Sequence, residues 1–452
     1  MHTRRVEPRT ERSRSETGTL PTDVRTYPRS ERETLRRIAT SSTDRADLVV
    51  VGAGTVGGWA SYFARRDGVG RVVVLEQGLA GQGASSRAAG IVRAQGGTPA
   101  TVALGRWTID FYNGQAVEIG TDSGFREVGY LILAITDEDE RAGRERVEMQ
   151  RREGLAVRWL SADEATLLIP TLSPVGHHGG SFIETDGFID PPRNVRAYSL
   201  AMQAAGVELR ERTAFTGLRT EPQPGGGLRV VGVETSAGPI DTDRVILTGG
   251  PSLRAVGRLA GLRLPAGAVR HTVAVLEPSP AFDVERMTMV FDIGGGLYWR
   301  QEEGGLLFGW SDPDEIPGEA RSINWPAVDA ARARLDALVP AARGLGLRKI
   351  WTATIDYTPD HLPIVGAAIT PEGKPIGGVT IASPGGHGMM WGPGVARVAA
   401  DLAMTGRTQV VDVTDLGLDR FDADGRSRIA TDPVALPFPT IATDDETAPA
   451  LR

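Results

Sequence analysis

The 452-residue chain contains no cysteine. It therefore has no disulfide framework, no thiolate nucleophile and no cysteine ligands for an iron–sulfur cluster. Lysine is almost as scarce, since it occurs only at Lys349 and Lys374, and arginine carries nearly all the positive charge. With 40% hydrophobic and 24% charged residues, the composition is that of a globular protein long enough to bury a sizeable core.

The sequence also lacks an excess of positive charge and a long apolar run. A formal net charge of -7 gives no basic field to attract a phosphate backbone, so we expect no nucleic acid partner. No apolar stretch approaches the roughly 20 residues that cross a bilayer, and the start of the chain has no apolar signal core. These absences favour a small-molecule role, no membrane partner and a cytoplasmic location.

Residues 1–45 form a distinct N-terminal segment that has almost no large apolar side chains. Such a segment cannot offset its ordering entropy by burial, so the composition predicts a disordered extension. A docking arm for a partner or a membrane surface is the alternative, and the mixed charge of the segment makes it the less favoured one.

The first ordered unit predicted along the chain is a β-α-β unit. The apolar run Ala46–Val51 predicts a buried strand, and an amphipathic stretch to Arg66 predicts the helix that follows. Between them stands a glycine motif, which consists of Gly52, Gly54 and Gly57 with Thr55 and Val56. A second apolar run ends at Glu76, where a carboxylate can accept hydrogen bonds from a ribose. Together these features predict a dinucleotide site, in which the helix N-terminus faces the pyrophosphate, but they do not separate FAD from NAD.

Later segments continue to alternate between helix and strand patterns. The patterns predict helices over 137–153, from Pro191 to about Ala205, near 325–338 and near 388–405, and strands within 226–248 and 268–310. Stretches rich in proline and glycine at 222–227 and 370–378 predict hairpin or loop tips. From Asp422 onward the polar composition predicts a surface tail.

Five stretches of the chain resemble the D-amino acid oxidase superfamily, especially its sarcosine oxidase and glycine oxidase branch. They are Ala84–Arg93, Glu184–Pro191, Val245–Ser252, Thr358–Gly366 and Ser383–Met390. Their order and spacing resemble the family over residues 46–422.

The resemblance implies an α/β fold with a Rossmann-like, two-dinucleotide FAD domain of the glutathione reductase type. An antiparallel-sheet substrate domain is inserted into it. The implied FAD-binding segments are 46–100, 187–255 and 350–422, the substrate-binding segments are 101–186 and 256–349, and 423–452 is the C-terminal tail.

The resemblance also implies which residues contact FAD. These are Gly52, Gly54, Thr55, Val56, Gly57, Glu76, Gln77, Ser85, Ser86, Arg87, Ala88, Ala89, Phe215, Gly249, Gly385, Gly386, His387, Gly388 and Met389. In the family, the Gly-Gly-His-Gly turn opens a helix whose N-terminus faces the pyrimidine end of the flavin, where the reduced ring carries negative charge. We expect that helix to run from Met389 to Ala403.

Five residues are candidates for the substrate side of the site. Arg93 matches the arginine that holds the substrate carboxylate in sarcosine oxidase, and a structural ion pair is the alternative. Met390 replaces the lysine that is the second carboxylate ligand. His387 is expected at the flavin, while Tyr298 and His271 lie in strands that the family places near the substrate. Core packing remains open for these side chains.

Other positions bear on the flavin tether and on the electron acceptor. Thr352 and Arg87 stand where relatives carry a flavin-linked cysteine and histidine, so the resemblance implies non-covalent FAD. Leu307 replaces a lysine that assists oxygen, so the acceptor is either oxygen or another group. We expect no metal, and we interpret His177 and His178 as part of a surface loop.

The sequence thus predicts an FAD-dependent oxidoreductase that oxidises a small amine or amino acid at a C–N bond. Hydride passes to flavin N5 and the imine product hydrolyses. Two alternatives remain: oxidation of a 2-hydroxy acid, and a role as the flavin subunit of a heteromeric amine dehydrogenase with a partner chain.

Overall fold

The structure, a computed structural model, describes residues 44–319 and 322–441. The predicted disordered extension therefore lies outside the described residues, apart from its last two. The helices are α1 Thr55–Arg66, α2 Pro99–Glu118, α3 Asp137–Arg152, α4 Ala162–Leu168, α5 Pro191–Ala205, α6 Leu253–Leu259, α7 Trp325–Leu338 and α8 Gly392–Thr405. The strands are β1 Asp44–Arg45, β2 Leu48–Val51, β3 Val72–Leu75, β4 Ile91–Val92, β5 Arg126–Glu127, β6 Tyr130–Leu133, β7 Arg158–Leu160, β8 Gly180–Ile183, β9 Gly187–Phe188, β10 Glu208–Arg210, β11 Phe215–Pro222, β12 Leu228–Thr235, β13 Ile240–Asp241, β14 Val245–Leu247, β15 Gly267–Leu276, β16 Met289–Asp292, β17 Leu297–Glu302, β18 Gly305–Trp310, β19 Leu347–Tyr357, β20 Ile364–Ile369 and β21 Pro375–Ser383.

A mixed sheet contains the predicted β-α-β unit. Its order includes β13-β12-β21-β14-β2-β3-β10, and β21, β14, β2, β3 and β10 run parallel to one another. The apolar runs of β2, β3 and β14 are buried along their whole length, as expected for parallel strands that are covered on both faces. The glycine-rich stretches predicted as tips join β11 to β12 and β20 to β21 as antiparallel hairpins.

A second sheet has the order β19-β15-β18-β17-β16-β6-β8-β7. It is antiparallel except for the β16–β6 pair, which is parallel. The strand β19 belongs to this sheet, although residues from 350 onward are expected in an FAD-binding segment. That division into segments remains a prediction.

Helices α1, α5 and α8 pack together around a core of large side chains, which include Trp59, Phe63, Tyr198, Trp391 and Val395. The helix α5 begins as its sequence predicts, because the side chain of its N-cap residue accepts a hydrogen bond from a backbone N–H of the first turn and Pro191 is its first residue. Gly206 ends this helix in the left-handed conformation, with φ of 76°.

Three local expectations need correction. The helix predicted from Met389 begins at Gly392, after a turn. The tail predicted on the surface contains Val434, whose exposure is 0%, so the chain returns to the interior there. His177 is also buried rather than in a surface loop, and its Nε2 lies 2.8 Å from the carbonyl oxygen of Ser173.

No helix among the described residues is long and apolar enough to span a membrane. No group of three or more histidine, aspartate or glutamate residues in that part of the chain is arranged to hold a metal ion.

Candidate active site

A cavity of about 930 Å³ opens at the carboxyl ends of the parallel strands. The residues that follow β2, β3, β14 and β21 all line it, and they include Gly52, Glu76, Thr248 and Pro384. Ligands of open α/β sheets bind at this edge, because the loops and helix N-termini converge there. The volume lies within the range of sites for small molecules and cofactors.

All the residues predicted at the site line this cavity, except Phe215 and Gly385. Phe215 packs in the hydrophobic core beneath the mixed sheet. Gly385 lies just behind the lining, where its carbonyl accepts a hydrogen bond from His387. The structure therefore brings Arg93, His271 and Tyr298 from distant parts of the sequence to the same cavity as the glycine motif.

The glycine motif forms a cradle that side chains would fill. Gly52 has a φ of 97°, and a Cβ at Gly57 would lie 1.9 Å from the carbonyl oxygen of Gly52. Gly54 is the N-cap of α1 and has no side chain to cap the helix. Ser85 accepts a hydrogen bond from the N–H of Thr55 at 3.0 Å. The Thr55 N–H thus has a partner within the protein, while Gly54 places no side chain between the helix N-terminus and a phosphate group at the cavity.

Glu76 is fixed at the end of β3 by two backbone amides. The N–H of Ala53 donates to Oε2 at 2.9 Å, and the N–H of Gly78 donates to Oε1 at 2.8 Å. Each carboxylate oxygen keeps a further lone pair for a ribose hydroxyl group. The glycine cradle and this carboxylate together fit the adenosine diphosphate part of FAD.

His387 lies in the turn after β21. Its Nδ1 is 3.0 Å from the carbonyl oxygen of Gly385, so Nδ1 carries the proton and donates it. Burial and, to a smaller extent, the nearby Arg93 guanidinium lower the pKa of His387 to about 3. The imidazole is therefore neutral, and its Nε2 has no hydrogen-bond partner among the described residues. The ring contacts Trp391, with a centroid separation of 4.3 Å.

His271 in β15 and Tyr298 in β17 form a pair across β18, which lies between these two strands of the second sheet. The His271 Nε2 and the Tyr298 hydroxyl group are 2.6 Å apart, and the rings are stacked at 5.8 Å. Burial lowers the pKa of His271 to about 4 and raises the pKa of Tyr298. Both side chains are therefore neutral, so this wall of the cavity offers hydrogen bonds without charge.

Arg93 is almost fully buried, with an exposure of 2%. Its Nη1 donates to the carbonyl of Gln95, and its Nη2 donates to the carbonyl of Val434 at 2.7 Å. The second contact ties the loop after β4 to the chain's C-terminal part. Met390, where the family has a second cation, is an apolar part of the lining.

Several lining residues were not predicted from the sequence. They include Tyr130, Thr248, Phe291, Thr354, Asp356, Val434 and Leu436. Asp356 is the only charged residue of β19 after Lys349. A single carboxyl group in an otherwise uncharged strand is a sequence signal that could have indicated it. Its Oδ2 accepts a hydrogen bond from the Ser383 hydroxyl at 2.7 Å, and burial raises its pKa.

Leu307 does not line the cavity. It lies in β18 with 1% exposure and packs in a core cluster with Tyr298 and Phe291. The expectation that it replaces a charge above the flavin is therefore not supported by its position. Thr352 and Arg87, which stand where relatives carry a flavin-linked cysteine and histidine, do line the cavity.

The sequence is similar to characterised enzymes over most of its length. A family model described as DAO, FAD dependent oxidoreductase, matches residues 47–402. The 4-methylaminobutanoate oxidase (formaldehyde-forming) of Paenarthrobacter nicotinovorans is 27% identical over 84% of this chain and 46% of its own length. The sarcosine oxidase subunit beta of Rhodobacter capsulatus is 26% identical over 83% of this chain and 89% of its own.

The fold is similar to that of solved flavoenzymes. Glycine oxidase from Geobacillus kaustophilus superposes with a TM-score of 0.71 at 25% identity, over 84% of this chain and 100% of that one. The chain thus spans about half the length of some curated relatives and nearly all of others. The predicted fold class and the predicted FAD cofactor are confirmed by these matches. The chain belongs to the DAO family of FAD dependent oxidoreductases.

Proposed function

We propose that this protein oxidises a small amine or amino acid at a C–N bond, with FAD held without a covalent link. The observation that carries the proposal is the shared cavity, in which the dinucleotide cradle at Gly52–Gly57 continues to Arg93, His271, Tyr298 and His387. Relatives named for oxidation of amines and amino acids support a C–N bond over a C–O bond.

The mixed-sheet loops would hold the cofactor and the second sheet would form the substrate wall. When bound, FAD supplies the acceptor for a hydride from the carbon next to the amine nitrogen, and the imine then hydrolyses. Tyr298 and His271 orient the substrate through hydrogen bonds. Phe291 and Met390 exclude water with apolar surface.

The charges at the cavity favour the neutral form of an amine. His271 and His387 are uncharged, and Arg93 adds a positive charge close to His387. A protonated amine would be repelled by this charge, whereas the neutral amine keeps the lone pair that assists hydride departure. The protein therefore selects the reactive protonation state.

Anaerobic titration of the purified protein tests this function. Each amino acid in the panel is paired with the 2-hydroxy acid of the same carbon skeleton, and simple amines are included. We expect the flavin band at ~450 nm to bleach with an amine and to persist with its hydroxy counterpart. Bleaching by hydroxy acids alone, or by no compound, would reject the proposal. Readmission of air then separates an oxidase from a dehydrogenase.

A variant of the substrate wall links the reaction to this cavity. Tyr298→Phe keeps the ring but removes the hydroxyl group that contacts His271. We expect full flavin content and a slower reduction by the same amine. Unchanged reduction in this variant would show that the pair does not orient the substrate.

We further propose that this chain acts with a partner chain, because one relative is named as a subunit of sarcosine oxidase. Co-purification of a second chain from the native source, with activity that depends on it, is the expected result. Full activity of the isolated chain would count against an obligatory partner.

A further inference from the structure

Residues 84–90, which we call the cavity loop, line the cavity without forming a helix or a strand. Ser85 ties the beginning of this loop to the start of α1, because its hydroxyl group accepts a hydrogen bond from the N–H of Thr55 at 3.0 Å. An irregular loop has no ladder of backbone hydrogen bonds that fixes its peptide groups. Their orientation therefore depends on side chains from other elements.

Two side chains of the second sheet hold carbonyl groups of the cavity loop. The indole Nε1 of Trp351 in β19 donates to the carbonyl of Arg87 at 2.9 Å. The Nε of Arg300 in β17 donates to the carbonyl of Ala89 at 3.0 Å. Neither of these two donors belongs to the described lining of the cavity, so both carbonyls are turned away from the cavity and toward the sheet.

The guanidinium group of Arg300 is buried and is itself held in place. Its Nη1 donates to the carbonyl of Gln301 at 2.9 Å and to the carboxylate of Glu302. It lies over the ring of Phe188, 4.4 Å from the centroid, and Phe188 pairs with Ile91, the residue that follows the cavity loop. Arg300 is therefore a fixed donor at the place where β17, β9 and the loop meet.

The two contacts also determine where the next N–H groups point. Because a trans peptide group is planar, its N–H is directed opposite to its C=O. The N–H of Ala88 therefore points away from Trp351, and the N–H of Gly90 points away from Arg300. Ala88 and Gly90 both line the cavity, and neither N–H has a hydrogen-bond partner among the described residues. Such donors fit an acceptor on a bound ligand, since backbone N–H groups inside proteins are nearly always paired.

We propose that Trp351 and Arg300 are positioning residues, which aim the N–H groups of Ala88 and Gly90 at acceptor atoms of the isoalloxazine ring of FAD. A reduced flavin gains negative charge on this ring, and donors that are oriented in advance stabilise such charge without reorganisation. This inference goes beyond the proposed function, because it depends on FAD in this cavity and not on the identity of the substrate.

Trp351→Phe tests the first donor. The substitution removes the indole N–H and keeps an aromatic ring at a partly exposed position. We expect the apoprotein to bind FAD about threefold to tenfold more weakly, because the Ala88 N–H loses its orientation. The midpoint potential of the bound flavin should become more negative, since the reduced ring loses stabilisation. Fluorescence titration with FAD and redox titration against a reference dye measure the two quantities.

Trp299→Phe is the matched control. Trp299 lies in the same sheet, and its Nε1 has no hydrogen-bond partner among the described residues. This variant should change neither the dissociation constant of FAD nor the midpoint potential, whatever its effect on the Tm of the apoprotein. Unchanged affinity and potential in Trp351→Phe would overturn the proposal. Equal shifts in both tryptophan variants would also overturn it, because they would show a general effect of the sheet.

Arg300→Lys tests the second donor. Lysine keeps the charge but cannot hold the carbonyls of Ala89 and Gln301 together in a fixed fork, so weaker FAD binding and a more negative potential are expected again. Glu302→Gln leaves the contact between Arg300 and Ala89 in place, and it should not make the potential more negative. The same negative shift in Glu302→Gln would contradict the role of Arg300.

None of these measurements needs an amine, so their outcome is separate from that of the proposed function. Uptake of FAD by the unchanged protein, with no shift in Trp351→Phe or Arg300→Lys, would overturn the positioning role alone. Failure of every amine to reduce a flavin whose potential responds to both variants would instead reject the proposed function and leave the positioning role intact.

Discussion

Glu76 shows how one residue can serve both the fold and the cofactor. Its two oxygens accept backbone N–H groups from the glycine loop after β2 and from the loop after β3, so its position does not depend on a ligand. A ribose would therefore meet a carboxylate that is already oriented, and little ordering entropy would be lost on binding.

Glu76→Ala should weaken FAD binding by about tenfold or more, because a hydrogen bond to a charged group contributes ~1.5–3 kcal/mol. The measurement is titration of the apoprotein with FAD, followed by quenching of flavin fluorescence. Glu76→Gln keeps an acceptor oxygen and the shape of the side chain, and it should show a smaller loss. An unchanged dissociation constant in both variants would mean that the ribose lies elsewhere.

The two buried histidines also determine what a pH profile should look like. The pKa of His271 is about 4 and that of His387 about 3, so both are neutral from mildly acidic to basic pH. Because their neutral forms are favoured in the fold, the stability linked to them is present above the ordinary histidine pKa of about 6.5 and is lost as the pH falls below it.

We therefore predict that kcat/KM rises with pH up to the pKa of the substrate's own amine. The check is a set of substrates with amines of different pKa, measured over the same pH range. The midpoint of the rise should move with the substrate. A midpoint that stays near 7 for every substrate would implicate an enzyme group instead, such as Asp186.

At the scale of elements, the start of α1 separates two roles of glycine. At Gly54 the nearest atom to an added Cβ is the Ser85 hydroxyl oxygen at 3.2 Å, which can move. At Gly57 the nearest is a backbone carbonyl oxygen at 1.9 Å, which cannot move without the strand. One glycine leaves space for a ligand, and the other allows the helix to pack.

Gly54→Ala should therefore fold with nearly the normal Tm but bind FAD more weakly, since its Cβ enters the phosphate cradle. Gly57→Ala should lower the Tm of the apoprotein itself, because the clash lies within the fold. Thermal melts with and without FAD distinguish the two effects. The account fails if both variants lose the same stability without cofactor.

Most elements could be predicted because their signals are local. The apolar runs of β2 and β3, the glycine motif and the proline at the start of α5 each determine their own segment. The start of α8 is different, since Met389 and Met390 read as part of the apolar helix. In the structure they occupy a turn in which both side chains reach the cavity, and tertiary contact outweighs helical propensity.

At the scale of the whole molecule, an internal ion pair ties the end of the chain to the site. Arg420 and Asp360 form two hydrogen bonds at 2.7 and 3.0 Å, and their side chains are 3% and 1% exposed. Asp360 also accepts the backbone N–H of Asp432 through its carbonyl. The pair therefore holds both the loop before β20 and the C-terminal segment that begins at Asp432.

Arg420→Ala should destabilise the protein by about 3–5 kcal/mol, because it leaves a buried carboxylate without its partner. Burial raises the pKa of Asp360, but Arg420 outweighs this and the pKa is lowered. The contribution is thus present above the ordinary aspartate pKa and is lost as the pH falls through the lowered one. Urea unfolding measures the change. Arg426→Ala removes an exposed arginine and should have little effect, and equal losses in the two variants would contradict this role.

The parts of the site that could not be predicted are those that depend on such long-range contacts. Val434 and Leu436 stand in a short apolar stretch, 433–441, within a tail whose other residues are largely polar, and no local pattern shows which part of the fold it packs against. Arg93 lines the cavity, but its motif does not reveal its partners, the carbonyls of Gln95 and Val434.

The visible spectrum of the purified protein tests whether this chain holds FAD for the oxidation of an amine. We expect a flavin band at ~450 nm that an amine bleaches without oxygen, and a flavin that acid releases into solution as FAD, since Thr352 and Arg87 replace the side chains that tether flavin in relatives. A colourless protein that takes up no added FAD would contradict the account, and the cavity at the glycine cradle would then serve another ligand.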